Sequence, residues 1–209
     1  MLPPRLTLPG LQCGNNREKR KTMIAMLLAA GRGERMRPLT DHVPKPLLKV
    51  GGKALIVWHI EKLARAGFRD LVINHAHLGQ QFVETLGHGN PFGVRITYSP
   101  EHPALETAGG IANALPLLGD EPFAVINSDI HCDYDFAQLP VRAAALVDQG
   151  DMAHLVLVDN PAHNPRGDFS LRAGRVLDAL PGLTFSGIGI YQPALFAAIP
   201  RGKAAPLAP

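Results

Sequence analysis

A chain of 209 residues, 46% hydrophobic and 19% charged, is long enough to bury a core without disulfide or metal staples, and its composition excludes collagen, coiled coil and wholesale disorder. The formal charge of +3 is unevenly held: residues 1–22 carry +4, from Arg5, Arg17, Lys19, Arg20 and Lys21 against Glu18, which leaves −1 on the rest and no broad basic surface for nucleic acid. The longest apolar run, Met23 to Ala30, is far shorter than the roughly 20 residues of a spanning helix, so no membrane partner is expected.

Residues 1–22 read as a disordered basic leader ahead of a folded domain at 23–209, with Met23 as the expected native start. Their basic cluster follows the few apolar residues and no apolar core precedes a cleavage site, unlike a secretory signal. Cys13 and Cys132 are too few for a disulfide framework, and a cytoplasmic, reducing location is expected.

The elements then follow in order. Ile24 to Ala30 is a buried strand that runs into a Gly-rich loop. Ile56, Ile60, Leu63 and Gly67 fall at helical spacing and predict a helix from Lys53 to Ala66. A strand at Leu71 to Asn74 precedes a short helix at Gln80 to Leu86, and Val94, Ile96 and Tyr98 alternate as a half-buried strand. Thr107 to Leu117 predicts a helix, Phe123 to Ile126 a buried strand, Ala143 to Val147 part of a helix, and His154 to Val158 another apolar strand. Shorter strands are expected at Asp168 to Leu171, Val176 to Ala179 and Leu183 to Tyr191, as an extension over the pocket. Such alternation implies an α/β fold: a Rossmann-like mixed, mostly parallel sheet with helices on both faces and ligands at the carboxyl ends of its strands.

Polar motifs gather at those strand ends. Leu28, Ala29, Ala30, Gly31, Arg32 and Gly33 lead from strand to loop, and Gly-x-Gly there lets backbone N–H groups approach a polyphosphate. Arg35, Arg37 and Lys45 add positive charge nearby. No third glycine or downstream acid completes a dinucleotide fingerprint, and no Gly-Lys-Ser/Thr ends a Walker loop. By pattern alone a structural turn stays open. Asn127-Ser128-Asp129 ends a strand with a carboxylate suited to Mg²⁺, or to capping the next helix. His75 and His77 lack a third ligand at metal spacing.

The string from Leu28 to Thr40, followed by Pro44-Lys45-Pro46, resembles the amino-terminal signature of the sugar-phosphate nucleotidyltransferases, L-A-A-G-x-G-x-R-[LM]-x-P-L-T and then P-K-P. The resemblance implies the nucleotide-diphospho-sugar transferase fold for residues 23–209. It also implies that the Leu28 to Gly31 backbone, with Gly33, holds the nucleotide, that Arg35 and Lys45 bind the triphosphate, and that Asp129 holds Mg²⁺. Ser99 to Ile111 resembles the segment that reads the base edge through a L-G-T-A-G-like turn, with the Glu101 side chain and the Gly109 backbone as contacts. Asn74-His75-Ala76-His77-Leu78-Gly79, Asp159-Asn160-Pro161, Gly167-Asp168-Phe169 and Leu183 to Ile188 resemble the subgroup of uridylyltransferases acting on N-acetylmuramate 1-phosphate. Asn74, Asn127, Gly167, Asp168, Ser186 and Gly187 are then the candidate sugar contacts.

The implied reaction is uridylyl transfer from UTP to a sugar 1-phosphate, N-acetylmuramic acid 1-phosphate foremost, with release of pyrophosphate, in peptidoglycan sugar recycling. Alternatives are a mannose-1-phosphate guanylyltransferase, a hexose-1-phosphate thymidylyl- or uridylyltransferase and, in another class, a nucleotide-binding module without turnover. Ser128 stands where the family has Gly before its metal-binding Asp. The family's Glu-Lys-Pro lysine is missing, with Arg166, Arg172 or Arg175 as substitutes. The D-[VI]-G-T segment, whose Asp is the second metal ligand, does not occur before Pro209. A carboxyl-terminally truncated enzyme is therefore expected, one that binds UTP and Mg²⁺ and transfers slowly.

Overall fold

The computed structural model describes residues 22–207. The expected leader falls, except for Thr22, outside the described residues. Four strands, β1 (Ala25–Leu28), β4 (Asp70–His75), β5 (Arg95–Pro100) and β6 (Phe123–Asn127), pair in parallel in the order β5-β4-β1-β6. The last long strand, β10 (Thr184–Tyr191), runs antiparallel to β6 and is followed across the sheet by β7 (Ala153–Val158), also antiparallel to β10. The result is the mixed, mostly parallel α/β sheet expected from the alternating pattern.

Both faces of the sheet are covered. Ala25, Leu27 and Ile73 face a core shared with α1 (Leu55–Arg65), α2 (Gln80–Leu86) and α4 (Leu139–Asp148). Met26, Val72 and Val125 face a second core with α3 (Glu106–Leu118) and the short 3₁₀ turn Pro193–Phe196. Neighbouring residues of β1 thus serve opposite cores, which is why its sequence is continuously apolar and not alternating. No helix among the described residues is long and apolar enough to cross a membrane.

Three local outcomes differ from the expectations. Lys53 does not begin a helix: Lys49–Val50 (β2) and Lys53–Ala54 (β3) form a small hairpin, and α1 starts at Leu55. Gly51 and Gly52, with φ of +61° and +87°, provide the two left-handed residues that such a tight hairpin turn requires. β7 is a half-buried edge strand, because β10 takes the place beside β6. Of the three late strands, only β10 joins the main sheet, while Ser170–Arg172 (β8) and Arg175–Leu177 (β9) make a separate hairpin.

Register brings the site together. Leu28 at the end of β1 lies beside Asn74 of β4 on one side and Asn127 of β6 on the other. Three strand ends thereby deliver their following loops to one edge of the sheet.

Candidate functional site

At that edge lies a cleft of ≈ 830 Å³, floored by Leu28 to Ala30 and walled by the loop from Gly31 to Met36, by Lys45 and by Asp129. Gly33 adopts φ +66°, and a Cβ there would stand 3.0 Å from Thr40 Cγ2 and 3.1 Å from Lys45 Cβ. The Gly33 carbonyl accepts from Thr40 Oγ1 at 2.9 Å and from the Met36 N–H at 2.9 Å, which closes the loop on itself. A Cβ at Gly31 would meet no protein atom within 4 Å, so the chain there borders open space.

Lys45 enters from the 3₁₀ turn Lys45–Leu47 and Asp129 from the loop after β6. Their side chains, 84 residues apart in sequence, meet with Nζ to Oδ2 at 2.6 Å. Both are part-exposed, so this ion pair contributes at most about 1 kcal/mol and is readily exchanged for another partner. Arg35 borders the cleft on an exposed 3₁₀ turn, whereas Arg37 turns to Asp41 (3.4 Å) and Glu34 (3.9 Å) in its own loop. Ser128 needs no left-handed backbone. Its hydroxyl and its N–H both donate to the Leu28 carbonyl, which ties the β6 end to β1.

Asn74 and Glu101 form a buried brace under the cleft. Asn74 Oδ1 accepts from the Ala29 N–H at 2.8 Å, and its Nδ2 donates to Glu101 Oε1 at 2.7 Å. Glu101 Oε2 accepts from the Leu105 N–H at 2.8 Å. Glu101 is only 1% exposed and both its oxygens are engaged, so it does not reach the cleft as the sequence suggested. Asn74 touches the cleft floor with both ends of its amide already used. A Cβ at Gly110 would come within 2.6 Å of Glu101 Oε1, which accounts for that glycine. Gly109 is also redirected. Its N–H donates to the Ala205 carbonyl at 3.0 Å, and a Cβ would stand 2.3 Å from the Lys203 carbonyl oxygen. Its lack of a side chain admits residues 203–205, and it lines neither cavity of the site.

A second cavity of ≈ 730 Å³ joins the first through Glu106, Thr107 and Asn127. Glu106 holds φ +59°, a left-handed conformation that costs a non-glycine residue about 1–2 kcal/mol, at the first position of α3. The cavity walls are mainly apolar: Leu155, Phe169, Phe185, Tyr191, Leu195 and Leu207.

Of the expected sugar contacts, Asn127 borders both cavities, but Gly167, Asp168, Ser186 and Gly187 line neither. Asp168 accepts from Asn164 Nδ2 at 2.9 Å and from the Phe185 N–H at 2.8 Å, so it ties two segments together. Gly167 (φ +69°) packs against the Gly182 carbonyl, and Gly187 (φ +82°) lets β10 approach the Asn127 amide. Ser186 Oγ accepts from the Ile188 N–H at 3.3 Å. Phe169 and Phe185, which the motifs did not single out, each follow or precede one of these residues. Side chains alternate along a strand, so Phe185 faces the cavity where its β10 neighbour Ser186 does not, and Phe169 sits at an isolated bridge to Leu183. Arg175, one of the three arginines considered for the sugar phosphate, pairs with Asp151 at 2.6 Å and lines neither cavity.

Two histidines lie behind the first cleft. The His59 Nε2–H donates to the Ile130 carbonyl at 2.8 Å, and Lys62 donates to that of Cys132, so α1 grips the loop that follows Asp129. Burial lowers the His59 pKa, so the ring is held neutral. His75 sits against Phe82 and Tyr98, and burial lowers its pKa too. No group of three His, Cys, Asp or Glu is arranged to hold a metal by itself among the described residues.

A family model described as nucleotidyl transferase matches residues 24–167. An N-acetylmuramate alpha-1-phosphate uridylyltransferase of Neisseria meningitidis serogroup B is 56% identical over 193 residues, 90% of this chain and 83% of that protein. A mannose-1-phosphate guanyltransferase of Yarrowia lipolytica is 42% identical over 120 residues, which cover 56% of this chain and a third (33%) of that protein. Among solved structures, HddC of Yersinia pseudotuberculosis complexed with GMP-PN superposes with a TM-score of 0.70 at 21% identity, over 87% of this chain and 82% of that one, a likeness of fold. On the family match and the 56% identity together, this chain belongs to the nucleotidyl transferase family.

Proposed function

We propose that this chain transfers a uridylyl group from UTP to a sugar 1-phosphate, N-acetylmuramate 1-phosphate foremost. The observation that carries this reading is the meeting of Lys45 and Asp129 at 2.6 Å beside the Gly31 to Gly33 loop, in a cleft at the carboxyl ends of β1 and β6. The 56% identity to the N-acetylmuramate alpha-1-phosphate uridylyltransferase supports the choice of UTP and of the sugar.

In this reading the triphosphate lies along Leu28 to Gly33, where the open space at Gly31 permits close backbone approach. The phosphates draw Lys45 out of its weak pair with Asp129, and Arg35 adds charge from the rim. The 1-phosphate oxygen of the sugar attacks the α-phosphorus in line; the bond from that phosphorus to the β-phosphate oxygen breaks and pyrophosphate leaves with the electron pair. The nucleophile is already anionic near neutral pH, so positioning and charge stabilisation carry the catalysis and no general base is required. Lys45 and Arg35 neutralise charge on the departing pyrophosphate.

Asp129 fits Mg²⁺, a hard cation that takes one or two carboxylates and fills its remaining positions with phosphate oxygens and water. Once released by Lys45, its carboxylate has no other ion-pair partner among the described residues. Bound there, the cation would screen the phosphates and orient the α-phosphate. The sugar side is the second cavity, reached past Asn127.

Pyrophosphate release with UTP, Mg²⁺ and a panel of N-acetylmuramate, glucose and mannose 1-phosphates tests the reading. Turnover is expected to be greatest with UTP and N-acetylmuramate 1-phosphate and to be abolished by Asp129→Asn. Preference for GTP with mannose 1-phosphate would replace it with the guanylyltransferase reading. Nucleotide binding without release on any sugar would leave a binding module.

A further inference from the structure

The two cavities meet at a seam of three residues, all of them polar. Glu106 and Thr107 come from the first turn of α3 and Asn127 from the end of β6, and these three line both cavities. Elsewhere around the site polar side chains hold one another: Asn74 and Glu101 brace the floor, Lys45 pairs with Asp129, and Asp168 binds Asn164. The side chains of Glu106, Thr107 and Asn127 make no hydrogen bond or ion pair among the described residues. A few unengaged polar groups converging on one opening from two elements are what a ligand site presents. Glu106 shows most clearly that its side chain is used. It is exposed, and it holds φ +59° where a glycine would rest without strain. The helix dipole favours an acid anywhere in a first turn, so it does not account for an acid at the strained position.

Charge around the seam narrows the ligand chemistry. Arg32, Arg35 and Lys45 stand with Glu34 and Asp129 round the first cavity. The second cavity is lined by two acids, Glu106 and Asp178, and by no Lys, Arg or His. A phosphate or carboxylate is therefore disfavoured at the seam and beyond it, because like charges repel. A carboxylate only accepts hydrogen bonds, whereas a threonine hydroxyl and an asparagine amide both donate and accept. The neutral group that satisfies all three is a sugar hydroxyl, which donates to Glu106 while its oxygen accepts from Thr107 or Asn127.

We propose that Glu106 is a specificity-determining residue that accepts a hydrogen bond from a sugar hydroxyl at the seam, with Thr107 and Asn127 donating to the same or the adjacent oxygen. This rests on the first cavity being the nucleotide side and the second the sugar side of the proposed transferase. The ribose of UTP and the ring of the sugar 1-phosphate both carry such hydroxyls, and the seam borders the places of both. The carboxylate of N-acetylmuramate is then directed out of the second cavity, away from Asp178. A site built to hydrogen-bond a hydroxyl discriminates against the analogue that lacks it.

Two variants test the assignment: Glu106→Gly removes the carboxylate and relieves the backbone, and Glu106→Gln keeps the shape and one acceptor oxygen. Calorimetry with Mg²⁺ compares UTP with its 2′-deoxy and 3′-deoxy forms. A second titration adds N-acetylmuramate 1-phosphate, or its 4-deoxy or 6-deoxy form, to protein holding Mg²⁺ and the non-reacting α,β-methylene analogue of UTP. The parent is expected to bind one of these ligands roughly tenfold more tightly than a deoxy form of it. Glu106→Gly should lose about that factor on the hydroxyl-bearing ligand and no longer distinguish the two, with Glu106→Gln losing less. A loss on UTP assigns the hydroxyl to the ribose, and a loss on the sugar 1-phosphate assigns it to the sugar ring. The melting temperature of Glu106→Gly should equal or exceed that of the parent, since the strained residue is gone. Affinities within twofold of the parent for every ligand would overturn the proposal, as would a loss that leaves the discrimination against deoxy forms intact. A lower melting temperature with all ligands weakened alike would also overturn it, by making Glu106 a structural residue. A parent that binds both ligands and releases no pyrophosphate would instead sink the transferase reading and leave these binding results standing.

Discussion

The two joined cavities are made by opposite means. The first is polar and mostly local: Leu28 to Met36 and Lys45 provide most of its wall from one stretch of chain, laid over parallel strand ends, with Asn74, Glu106, Thr107, Asn127 and Asp129 arriving from farther along. The second is apolar and dispersed, with walls drawn from positions 155, 169, 185, 191, 195 and 207 around the antiparallel strand β10. Phosphate recognition depends on backbone N–H groups and fixed charges, which a short loop can present. Shape recognition of an uncharged substituent needs surface, which no single segment contains. Variants at Lys45 put the contrast to its strongest test. Lys45→Ala should lower turnover roughly 100- to 1,000-fold while leaving the UTP constant within a few-fold, as for a group that acts on the transition state. Unchanged turnover with only weaker UTP binding, measured by pyrophosphate release, would make the first cavity a binding surface like the second.

The Asn74–Glu101 brace sharpens the comparison from below. Glu101→Ala would strand Asn74 Nδ2 and the Leu105 N–H in the interior, at a cost of about 2–4 kcal/mol in urea unfolding. UTP affinity should fall only as the floor under Ala29 loosens. A variant with parental stability and selectively weakened nucleotide binding would restore Glu101 to the base-contact role suggested by its sequence motif.

Legibility from sequence follows the same division. The parallel half of the sheet, β1, β4 and β6, was readable because residues buried on both faces make continuous apolar runs, and the phosphate loop because its chemistry needs glycines and cations at fixed spacing. Lys45 and Asp129 could be singled out separately, but their contact depends on the pairing of β1 with β6 and not on any local pattern. Glu101 and Gly109 are polar or small for reasons that exist only in three dimensions: one holds Asn74 and the Leu105 N–H, the other admits residues 203–205. Gly167, Asp168, Ser186 and Gly187 drew notice as motif residues, whereas the cavity is lined by Phe169 and Phe185 beside them. Shifting attention by one residue along a strand exchanges its two faces, so motif spacing locates the strand but not the face that meets a ligand. The insertion of β10 between β6 and β7 has no sequence signature and decides where the second cavity lies.

A paired substitution makes that face assignment measurable. Phe185→Ala removes cavity wall and should raise the KM for the sugar 1-phosphate by roughly tenfold, in keeping with about 1–2 kcal/mol of lost apolar contact, with the UTP constant unchanged. Asp168→Ala removes the acceptor of the Phe185 N–H and of Asn164, so it should lower stability by about 1 kcal/mol and affect the sugar constant less than Phe185→Ala does. The reverse ranking would place Asp168 in the sugar site.

The smallest expected effect concerns how the first cavity responds to acid. His59 is 2% exposed and donates from Nε2 to the Ile130 carbonyl, next to Asp129, while its Nδ1 has no partner among the described residues. Burial disfavours the imidazolium, so its folded pKa lies below the ordinary value of 6.5. Below pH 6.5 the unfolded chain binds a proton at this position and the folded chain does not, which makes stability rise with pH there. The contribution of His59 is therefore fully present above about pH 7 and is lost as pH falls from 6.5 toward the folded value, at no more than about 1.4 kcal/mol per pH unit. His75 and His154 are shifted the same way by burial, so the whole protein should weaken in mild acid. His59→Gln retains an N–H donor for Ile130 but does not titrate. Melting temperatures at pH 7.5 and 5.5 should thus fall further for the parent than for this variant, and equal falls would show that the loop behind Asp129 has no part in the acid response.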